Sequence, residues 1–410
     1  MRVLLAPHGT RGDVQPMLAL AVALRARGHA VMFAAPSNFL AWIRAFGFDA
    51  VSNGVDIEAE MQAPGARLDS LRWMCGRLKD HAARMFDPVA RASDGAEVIV
   101  GAGAQLVTSS IAEWRDVPHV NVAFCPCALP SGDAPPPTVR TQSLPPWINR
   151  LLWHAGATVA DLGLRGTINR GRASLGLHSI ANPLEHIVET CVIVAADRDL
   201  APLGDDAPAS AVSTDAWIFD EAQALDPRVD AFLNLDPAPI YVGFGSMVAK
   251  RVPDLAAHAI AAARALGRGA IIAGGWAGLD RHATSADDVL AVHTVPHGAV
   301  FPRVAAIVHH GGAGTTTAAA RAGVPQVILP HILDQYYWAN RIDRLGLGPR
   351  ALPVDLITAD ILADRVDTAL NDASVRRRAA TLGAAIANRN GALDAVDIIE
   401  RVVATREPSA

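Results

Sequence analysis

The residues best suited to chemistry form a glycine-rich turn in the last third of the sequence. His310 introduces the run Gly-Gly-Ala-Gly-Thr-Thr, which follows a predicted strand at Ala305–His309 and opens a predicted helix. Free backbone N–H groups and the helix dipole at such a turn attract anions, and glycines allow a phosphate to approach closely. Gly312, Gly314 and the hydroxyl of Thr315 are therefore candidate phosphate contacts, although many α/β proteins use a similar turn only to change chain direction.

Two widespread phosphate motifs do not fit this turn. A Walker A sequence would end in Gly-Lys followed by Ser or Thr, which the turn lacks. The dinucleotide fingerprint needs another glycine three positions beyond Gly314, but that glycine is followed by three threonines. These two classes of nucleotide-binding protein are therefore disfavoured.

A carboxylate and a carboxamide follow the next predicted strand. Asp334 and Gln335 lie 19 and 20 residues after Thr315, beyond a strand that ends in Pro330. Ligands of parallel α/β sheets bind at the carboxyl ends of the strands. A carboxylate accepts hydrogen bonds, while a carboxamide both donates and accepts them, so the pair suits the neighbouring hydroxyl groups of a sugar.

These motifs belong to two successive α/β series. Strand-like apolar runs alternate with helical segments such as Pro253–Leu266, which predicts parallel sheets covered by helices. The predicted strands are Val3–Ala6, Ala30–Ala35, Glu97–Val100, His119–Phe124, Val192–Ala195, Ile240–Phe244, Ala270–Ala273, Ala305–His309 and Gln326–Leu329. The first helix is expected to open at Pro16 and to close at Gly28. Residues 206–238, rich in Ala, Asp and Pro, are predicted to link two domains.

The composition is that of a folded protein with more than one core. The chain has 410 residues, of which 51% are hydrophobic and 19% charged, so it exceeds the usual size of a single domain and has ample material for buried strands. Its formal net charge is -5, and no basic cluster is present to follow a phosphate backbone. A nucleic-acid partner is therefore disfavoured.

The sequence also bears on where the protein resides. No apolar run approaches the about 18 to 20 residues that a membrane-spanning helix needs. The first apolar run meets Pro7 too early for a signal peptide. The four cysteines show neither a disulfide framework nor a zinc spacing. We therefore expect a cytoplasmic protein with reduced thiols and no transmembrane segment.

Two stretches of the sequence resemble one known family. Residues Val295–Asn340 resemble the donor-binding signature of nucleotide-sugar glycosyltransferases with the GT-B fold, which include antibiotic, sterol and plant secondary-metabolite glycosyltransferases. The loop His8–Pro16 resembles the acceptor-side loop of the bacterial antibiotic and sterol branches. The resemblance implies an α/β fold of two doubly wound Rossmann-like domains with a cleft between them. It makes residues 1–205 the acceptor-binding domain, 239–385 the donor-binding domain and 386–410 a closing helix and tail.

The resemblance implies how the donor's diphosphate is held. His310 matches the motif histidine that hydrogen-bonds the pyrophosphate, and Gly312, Gly314 and Thr315 match the phosphate-cradling turn. Ser246, in an earlier Gly-Phe-Gly-Ser loop, matches a small hydroxyl residue that faces the phosphates. Helix amides and a histidine take the place of a metal in this family, so no metal requirement is expected.

The same resemblance assigns residues to the sugar and the base. Asp334 and Gln335 match the pair that holds the hexose hydroxyls, and Val295 matches the position whose backbone reads the base. Many relatives place a tryptophan just before this valine to stack on the base, whereas this sequence has His293 and Thr294. Trp276 could stack on the base in place of that tryptophan, or its side chain could serve only to pack the protein interior. UDP and TDP therefore both remain open.

Asp13 is the candidate catalytic base. The family pattern places a histidine or aspartate before Val-x-Pro, and Asp13 occupies that position. A carboxylate needs a pocket that raises its pKa to serve as a general base. Asp13 could instead only stabilise the amino end of the following helix. His8 has the better intrinsic pKa and is the second candidate, without a matching role in the family.

The resemblance implies an inverting hexosyltransferase. The enzyme would move a hexose from a UDP- or TDP-sugar to a hydroxyl of a lipophilic small molecule such as a polyketide or sterol. The acceptor pocket is expected in the first domain, including the Pro-rich loop 128–146. Two alternatives remain, a nucleotide-sugar epimerase-like enzyme and a catalytically silent glycosyltransferase-like partner protein. The sequence leaves the oligomeric state open.

Overall fold

The computed structural model describes residues 1–63, 66, 70–219, 221, 224–245 and 252–405. These residues form two compact units, each with its own parallel sheet. The first unit holds the described residues of Met1–Pro136, Ser143–Phe219 and Asn390–Ala410. The second unit holds those of Pro137–Gln142 and Asp220–Arg389.

The sheet of the first unit has seven strands within the described residues. They are β1 (Arg2–His8), β2 (Ala30–Ala35), β3 (Asp49–Ser52), β4 (Val98–Gly103), β5 (His119–Ala123), β6 (Cys191–Ala195) and β7 (Ala211–Thr214). All are parallel and lie in the order β3-β2-β1-β4-β5-β6-β7. The strand order reverses at β1, which pairs with β2 on one side and β4 on the other. In doubly wound sheets the crevice for a ligand opens at this point, beyond the carboxyl ends of the strands.

The sheet of the second unit repeats this arrangement with five described strands. They are β8 (Ile240–Gly243), β9 (Ala270–Ala273), β10 (Val289–Val292), β11 (Ala306–His309) and β12 (Gln326–Ile328). They are parallel in the order β10-β9-β8-β11-β12, so the order reverses at β8. The predicted class, two doubly wound α/β sheets, is confirmed.

Fifteen α-helices lie within the described residues. They are α1 (Arg11–Ala26), α2 (Leu40–Ala45), α3 (Ile57–Gln62), α4 (Leu71–Ala92), α5 (Thr108–Arg115), α6 (Pro146–Ser174), α7 (Pro183–Val188), α8 (Pro227–Phe232), α9 (Val252–Ala265), α10 (His297–Val300), α11 (Ala313–Arg321), α12 (Gln335–Leu345), α13 (Ala359–Asn371), α14 (Ala373–Ile386) and α15 (Ala392–Ala404).

Helices cover both faces of the sheet in the second unit. Tyr241 and Ile307 pack into one apolar cluster, while their chain neighbours Val242 and Val308 pack into another that includes residues of α9 and α13. Successive strand residues point to opposite faces, so a strand covered on both sides must be apolar throughout. This explains why the strands appear in the sequence as unbroken apolar runs.

The last helix returns to the first unit. Helix α15 packs against α1. Arg27, just after α1, forms ion pairs with Asp397 and Glu400, and His29 contacts Glu400 at 2.8 Å. The first unit is therefore discontinuous in sequence.

The structure adds detail to one expectation about the elements and corrects another. Residues 206–238, predicted to link two domains, contain β7 and α8. The β7 residues are partly exposed at the edge of the sheet, so they lack a continuous apolar pattern. Helix α1 begins at Arg11 and not at Pro16, because Thr10 and Asp13 cap it and the proline is tolerated inside it.

None of the helices in the described part of the chain is both long and apolar enough to cross a bilayer.

Candidate active site

The glycine-rich turn follows β11 at the point where the second sheet reverses its order. The buried side chain of His309 braces the turn from below. Its Nδ1 accepts a hydrogen bond from the backbone N–H of Gly311 at 3.1 Å, and its Nε2 donates to Oε1 of Gln326 at 2.9 Å. The Gln326 amide in turn donates to the carbonyl of Thr316 at 3.2 Å. Burial lowers the pKa of His309 to about 4, so the ring is a neutral structural brace.

Three glycines of the turn are needed for different reasons. Gly311 has φ of 90°, a conformation that favours glycine, and a Cβ there would lie 2.8 Å from Cγ2 of Ile328. A Cβ at Gly312 would collide with Nε2 of His310. Gly314 meets no protein atom within 4 Å, so a side chain there would extend into open space. Gly311 and Gly312 are therefore required by contacts within the protein, whereas Gly314 leaves space in which a ligand can approach the helix.

The amino terminus of α11 is ready to bind an anion. Its N-cap is Gly312, which has no side chain to satisfy the first backbone N–H groups. The first intrahelical bond there runs from the N–H of Thr316 to the carbonyl of Gly312 at 2.9 Å, so the N–H groups of residues 313–315 precede it. Unsatisfied amides and the positive end of the helix dipole favour phosphate. Gly314 and Thr315, predicted as phosphate contacts, both lie in this first turn.

His310 lies between two loops of the second unit. A Cβ on Gly245, in the loop after β8, would lie 3.3 Å from Cε1 of His310, and one on Gly312 would collide with Nε2 of the same ring. The buried Nδ1 of His310 has no hydrogen-bond partner among the described residues. Burial, followed by neighbouring histidines, lowers the pKa of His310 well below its ordinary value. The ring is therefore neutral and offers one N–H donor. The predicted Ser246 lies outside the described residues.

Asp334 and Gln335 open helix α12 beside this turn. Burial raises the pKa of Asp334 to about 6, an effect that the nearby Trp338 indole opposes. Oε1 of Gln335 accepts hydrogen bonds from the backbone N–H groups of His331 at 2.7 Å and Ile332 at 3.1 Å. The carboxyl group of Asp334 therefore changes its charge near pH 6. The amide oxygen of Gln335 already accepts hydrogen bonds from the loop before α12.

The loop before α12 carries two further features that the sequence did not reveal. Leu333 has φ of 52°, an uncommon conformation for a bulky residue and one that clusters at functional sites. His331 packs edge-on against Phe244, with ring centroids 5.5 Å apart. Both ring nitrogens of His331 are buried without a hydrogen-bond partner in the described part of the chain. Burial lowers the pKa of His331 to about 4.

The region predicted to hold the base lies beyond β9 and β10. The backbone N–H of Trp276 donates to the carbonyl of Gly245 at 3.0 Å, and that of Gly275 donates to the carbonyl of His293 at 3.0 Å. These bonds place Trp276 beside the loop that contacts His310. Val295 is partly buried against the apolar core before α10. Stacking by Trp276 and base reading by Val295 stay predictions.

Asp13 lies at the corresponding position of the first unit, where its sheet reverses. The backbone N–H of Thr10 donates to Oδ2 of Asp13 at 2.7 Å, which caps α1. A Cβ on Gly9 would overlap the Asp13 carboxylate, and one on Gly103 would lie 2.7 Å from its Oδ1. The helix-stabilising role considered from the sequence is thus present. This cap is formed through Oδ2 of the carboxylate.

His8 does not fit the role of a general base. Its side chain is only 1% exposed. It forms hydrogen bonds with His81 at 2.9 Å and Asn53 at 3.2 Å. Burial, with a smaller effect from His81, lowers the pKa of His8 to about 3. A base with so low a pKa and no access to solvent cannot accept a proton from a bound hydroxyl.

Among the residues that the structure describes, no three His, Cys, Asp or Glu side chains are grouped so as to hold a metal ion.

Two family profiles match the chain. The profile described as Glycosyltransferase family 28 N-terminal domain matches residues 3–69, and that described as Erythromycin biosynthesis protein CIII-like, C-terminal domain matches residues 251–402. These spans contain Asp13 and the glycine-rich turn, respectively.

Several relatives match this chain along nearly its whole length. Glycosyltransferase GtfE of Amycolatopsis orientalis is 36% identical over 422 residues, which cover 100% of this chain and 99% of that protein. The vancomycin aglycone glucosyltransferase of the same organism is 35% identical over 415 residues, with 100% and 99% coverage. The crystal structure of glycosyltransferase VinC in complex with DTDP has a TM-score of 0.74 at 21% identity, covering 99% of this chain and 100% of that one.

The fold and the two sites at the reversal points agree with these matches. The structural neighbour shares the fold, and the full-length relatives exceed the identity at which family membership is secure. The chain is therefore a sugar-transferring enzyme that belongs to the GT-B family of nucleotide-sugar glycosyltransferases, the family of the antibiotic glycosyltransferases.

Proposed function

We propose that this enzyme moves a hexose from a UDP- or TDP-sugar to a hydroxyl of a lipophilic natural product or sterol, with inversion at the anomeric carbon. The observation that carries the proposal is the uncapped amino terminus of α11, flanked by neutral His310 at the reversal point of the second sheet. This arrangement suits a diphosphate that must leave with negative charge.

The proposed reaction forms one bond and breaks another. The acceptor oxygen bonds to the anomeric carbon while the bond from that carbon to the diphosphate oxygen breaks. Asp13 takes the proton of the acceptor hydroxyl, and the N–H groups of α11 with His310 stabilise the departing diphosphate. The proposal assigns this charge stabilisation to protein groups and requires no metal, so activity should persist in the presence of a chelator.

The sugar and base contacts complete the proposed donor site. Asp334 accepts hydrogen bonds from hexose hydroxyls, and Gln335 contributes through its amide group while its oxygen holds the loop. The resemblance assigns the base to the backbone of Val295 and a phosphate contact to Ser246, which lies outside the described residues. The structure of VinC with DTDP supports a nucleoside diphosphate ligand for this fold, and it leaves UDP open for this chain.

The acceptor and cellular location are also part of the proposal. One full-length relative is named for the vancomycin aglycone, which supports a large natural product as the acceptor. We assign the acceptor domain to residues 1–205 and the donor domain to residues 239–385, with 386–410 as the closing segment. The enzyme would act in the cytoplasm and have no nucleic-acid partner.

Titration calorimetry with UDP, TDP, GDP and NAD tests the donor site directly. We expect binding of UDP or TDP, and loss of at least about tenfold in affinity in His310→Ala, as for the loss of a charge-assisted hydrogen bond. His258→Ala is the matched control, because His258 is a partly buried histidine on α9 with a buried, unpartnered Nδ1. Binding of NAD alone would overturn the proposal.

Product analysis then tests the reaction. Incubation with the preferred nucleotide sugar and a panel of polyketide, peptide and sterol acceptors should yield a glycoside and free nucleoside diphosphate in equal amounts. Conversion of the nucleotide sugar without an acceptor would instead identify an epimerase-like activity.

A further inference from the structure

A chain of polar side chains lies beneath the turn between β1 and α1 in the first unit. His8 ends β1, and its ring contacts the ring of His81 on α4, with 2.9 Å between Nε2 and Nδ1. His81 reaches Glu60 on α3 at 2.6 Å, and Glu60 also pairs with Arg84. Asn53 contacts the other side of His8 at 3.2 Å. We call the series Asn53, His8, His81 and Glu60 the histidine chain.

The hydrogen bonds of the histidine chain run in one direction. Oδ1 of Asn53 accepts the backbone N–H of Val55 at 3.2 Å, so the amide group of Asn53 donates to Nδ1 of His8. Nε2 of His8 must then carry the hydrogen and donate to Nδ1 of His81. Nε2 of His81 likewise donates to the Glu60 carboxylate. Each imidazole is therefore held in a single tautomer and orientation by its two partners.

The histidine chain is suited to hold position and not to move protons. Burial lowers the pKa of both His8 and His81, so both rings stay neutral near pH 7. Burial opposes ionisation of Glu60, but hydrogen bonds from Arg84 and His81 hold its pKa below the usual range. The inner end of the chain is the amide of Asn53, which does not pass a proton on. What remains is a rigid link between β1, α3 and α4.

The link ends at His8, directly before the two residues that contact Asp13. The carbonyl of His8 accepts the N–H of Ala104 at 2.9 Å, and the next residue, Gly9, has its open side filled by the Asp13 carboxylate. The N–H of Thr10 then binds Oδ2 of Asp13. Only one residue separates His8 from Thr10. A shift at the end of β1 is therefore passed on directly to the Asp13 carboxylate.

We propose that the histidine chain is a positioning device for Asp13, with His8 and His81 as positioning residues. The inference rests on the proposed role of Asp13 as the base. A misplacement of about 1 Å in a reacting group is enough to lower a rate by about 100-fold. Loss of the chain is thus expected to lower kcat through the proton transfer, and to leave the binding of the nucleotide sugar in the second unit unchanged.

The test compares two substitutions of His81. His81→Leu keeps bulk but removes both hydrogen bonds, and we expect kcat to fall about tenfold or more with the KM for the nucleotide sugar within about twofold. His81→Gln offers an oxygen to His8 and an amide group to Glu60, so it should restore most of kcat. Glu60→Ala, at the partly exposed end, should lower kcat in the same direction and serves if His81→Leu does not fold.

His119→Leu is the matched control. His119 is a buried histidine of the same unit whose ring forms hydrogen bonds with Thr108 and Thr190. It is the first residue of β5, whereas His8 is the last residue of β1, so the two lie towards opposite ends of the parallel strands. The variant should lose stability while keeping kcat. Equal loss of kcat in the His119 and His81 variants, or failure of His81→Gln to restore it, would overturn the inference. Full activity of Asp13→Asn would instead remove the proposed base, which is a separate result.

Discussion

The backbone N–H of Thr10 donates a hydrogen bond to Oδ2 of Asp13 over 2.7 Å. Helix capping and the proposed proton transfer therefore involve the same carboxylate. Asp13→Asn separates them, because the asparagine oxygen can still accept from Thr10 but cannot take a proton. We expect kcat to fall by about 100-fold to 10,000-fold, as for loss of a general base, with little change in stability.

Asp13→Ala provides the comparison for this prediction. It removes both the cap and the base, so it should lower kcat equally and also cost about 1 kcal/mol of unfolding free energy. Steady-state kinetics and urea unfolding measure the two effects. A nearly normal kcat in the asparagine variant would show that Asp13 only caps the helix.

Gly314 allows the phosphate role to be tested without damage to the fold. A Cβ there meets no protein atom within 4 Å, and alanine favours a helix by about 1 kcal/mol over glycine. Gly314→Ala should therefore keep or raise the melting temperature and still weaken nucleotide binding in calorimetry. Gly156→Ala, at an exposed glycine of α6 that also has no atom within 4 Å, controls for helix propensity. Unchanged nucleotide affinity would place the phosphates elsewhere.

Gly312 predicts the complementary behaviour. Its φ of -68° suits alanine, but a Cβ there would collide with Nε2 of His310. Gly312→Ala should thus displace the imidazole while leaving the backbone unstrained. We expect loss of nucleotide affinity comparable to that of His310→Ala. In the double variant Gly312→Ala/His310→Ala, the loss of binding free energy should be smaller than the sum of the two single losses. Additive losses would show that Gly312→Ala does not act through its contact with His310.

Asp334 predicts a pH dependence of stability. Burial raises its pKa from 3.8 to about 6, so the folded protein holds a proton that the unfolded chain releases between these values. Its contribution to stability is full below about pH 4 and is lost as the pH rises through 6, by an amount on the order of 3 kcal/mol.

Asp334→Asn cannot ionise and escapes this loss. The variant should be more stable than the parent at pH 8 and lose that advantage at pH 4. Its affinity for the nucleotide sugar should fall more than its affinity for the free nucleotide. Urea unfolding at both pH values checks the first part. An advantage that stays the same at the two pH values would contradict the raised pKa.

Gln326 tests the brace beneath the glycine-rich turn. Gln326→Leu leaves Nε2 of His309 and the carbonyl of Thr316 without their buried partner, which should cost about 1 to 3 kcal/mol for each group. Nucleotide affinity should fall because the turn loosens. A double-mutant cycle with His309→Leu should show the two effects to be strongly non-additive; additive values would mean that the brace does not act as a unit.

Of the strands that lead to the site, β1, β8 and β11 lie inside their sheets and could be predicted from their apolar runs, while β12 was predicted although it lies at an edge. Strand β9 matches its predicted bounds, Ala270–Ala273, and β8 differs by one residue at its end. The three strands that were not predicted, β3, β7 and β10, all lie at sheet edges. Edge strands are covered less completely, so their residues do not form a long apolar run.

The chemistry of the site could be predicted only in part. The backbone of Gln335 lies beside Gly311, the residue after His310, as the positions of the two strand ends implied. The hydrogen bonds that the backbone N–H groups of His331 and Ile332 donate to Gln335 were not visible in the pattern. His8 was considered as a base on its intrinsic pKa, but burial, and to a smaller extent His81, lowers this pKa, and His81 is 73 residues away in the sequence. Contacts of such sequence separation leave no local signal.

The return of α15 to α1 sets an order of assembly during synthesis. Every residue of the second unit precedes α15 in the chain, so the second unit is complete on the ribosome before the first. Until the last helix emerges, Arg27 and His29 lack their partners Asp397 and Glu400. A premature stop shortly before α15 would therefore damage the amino-terminal unit most, although its strands are translated first.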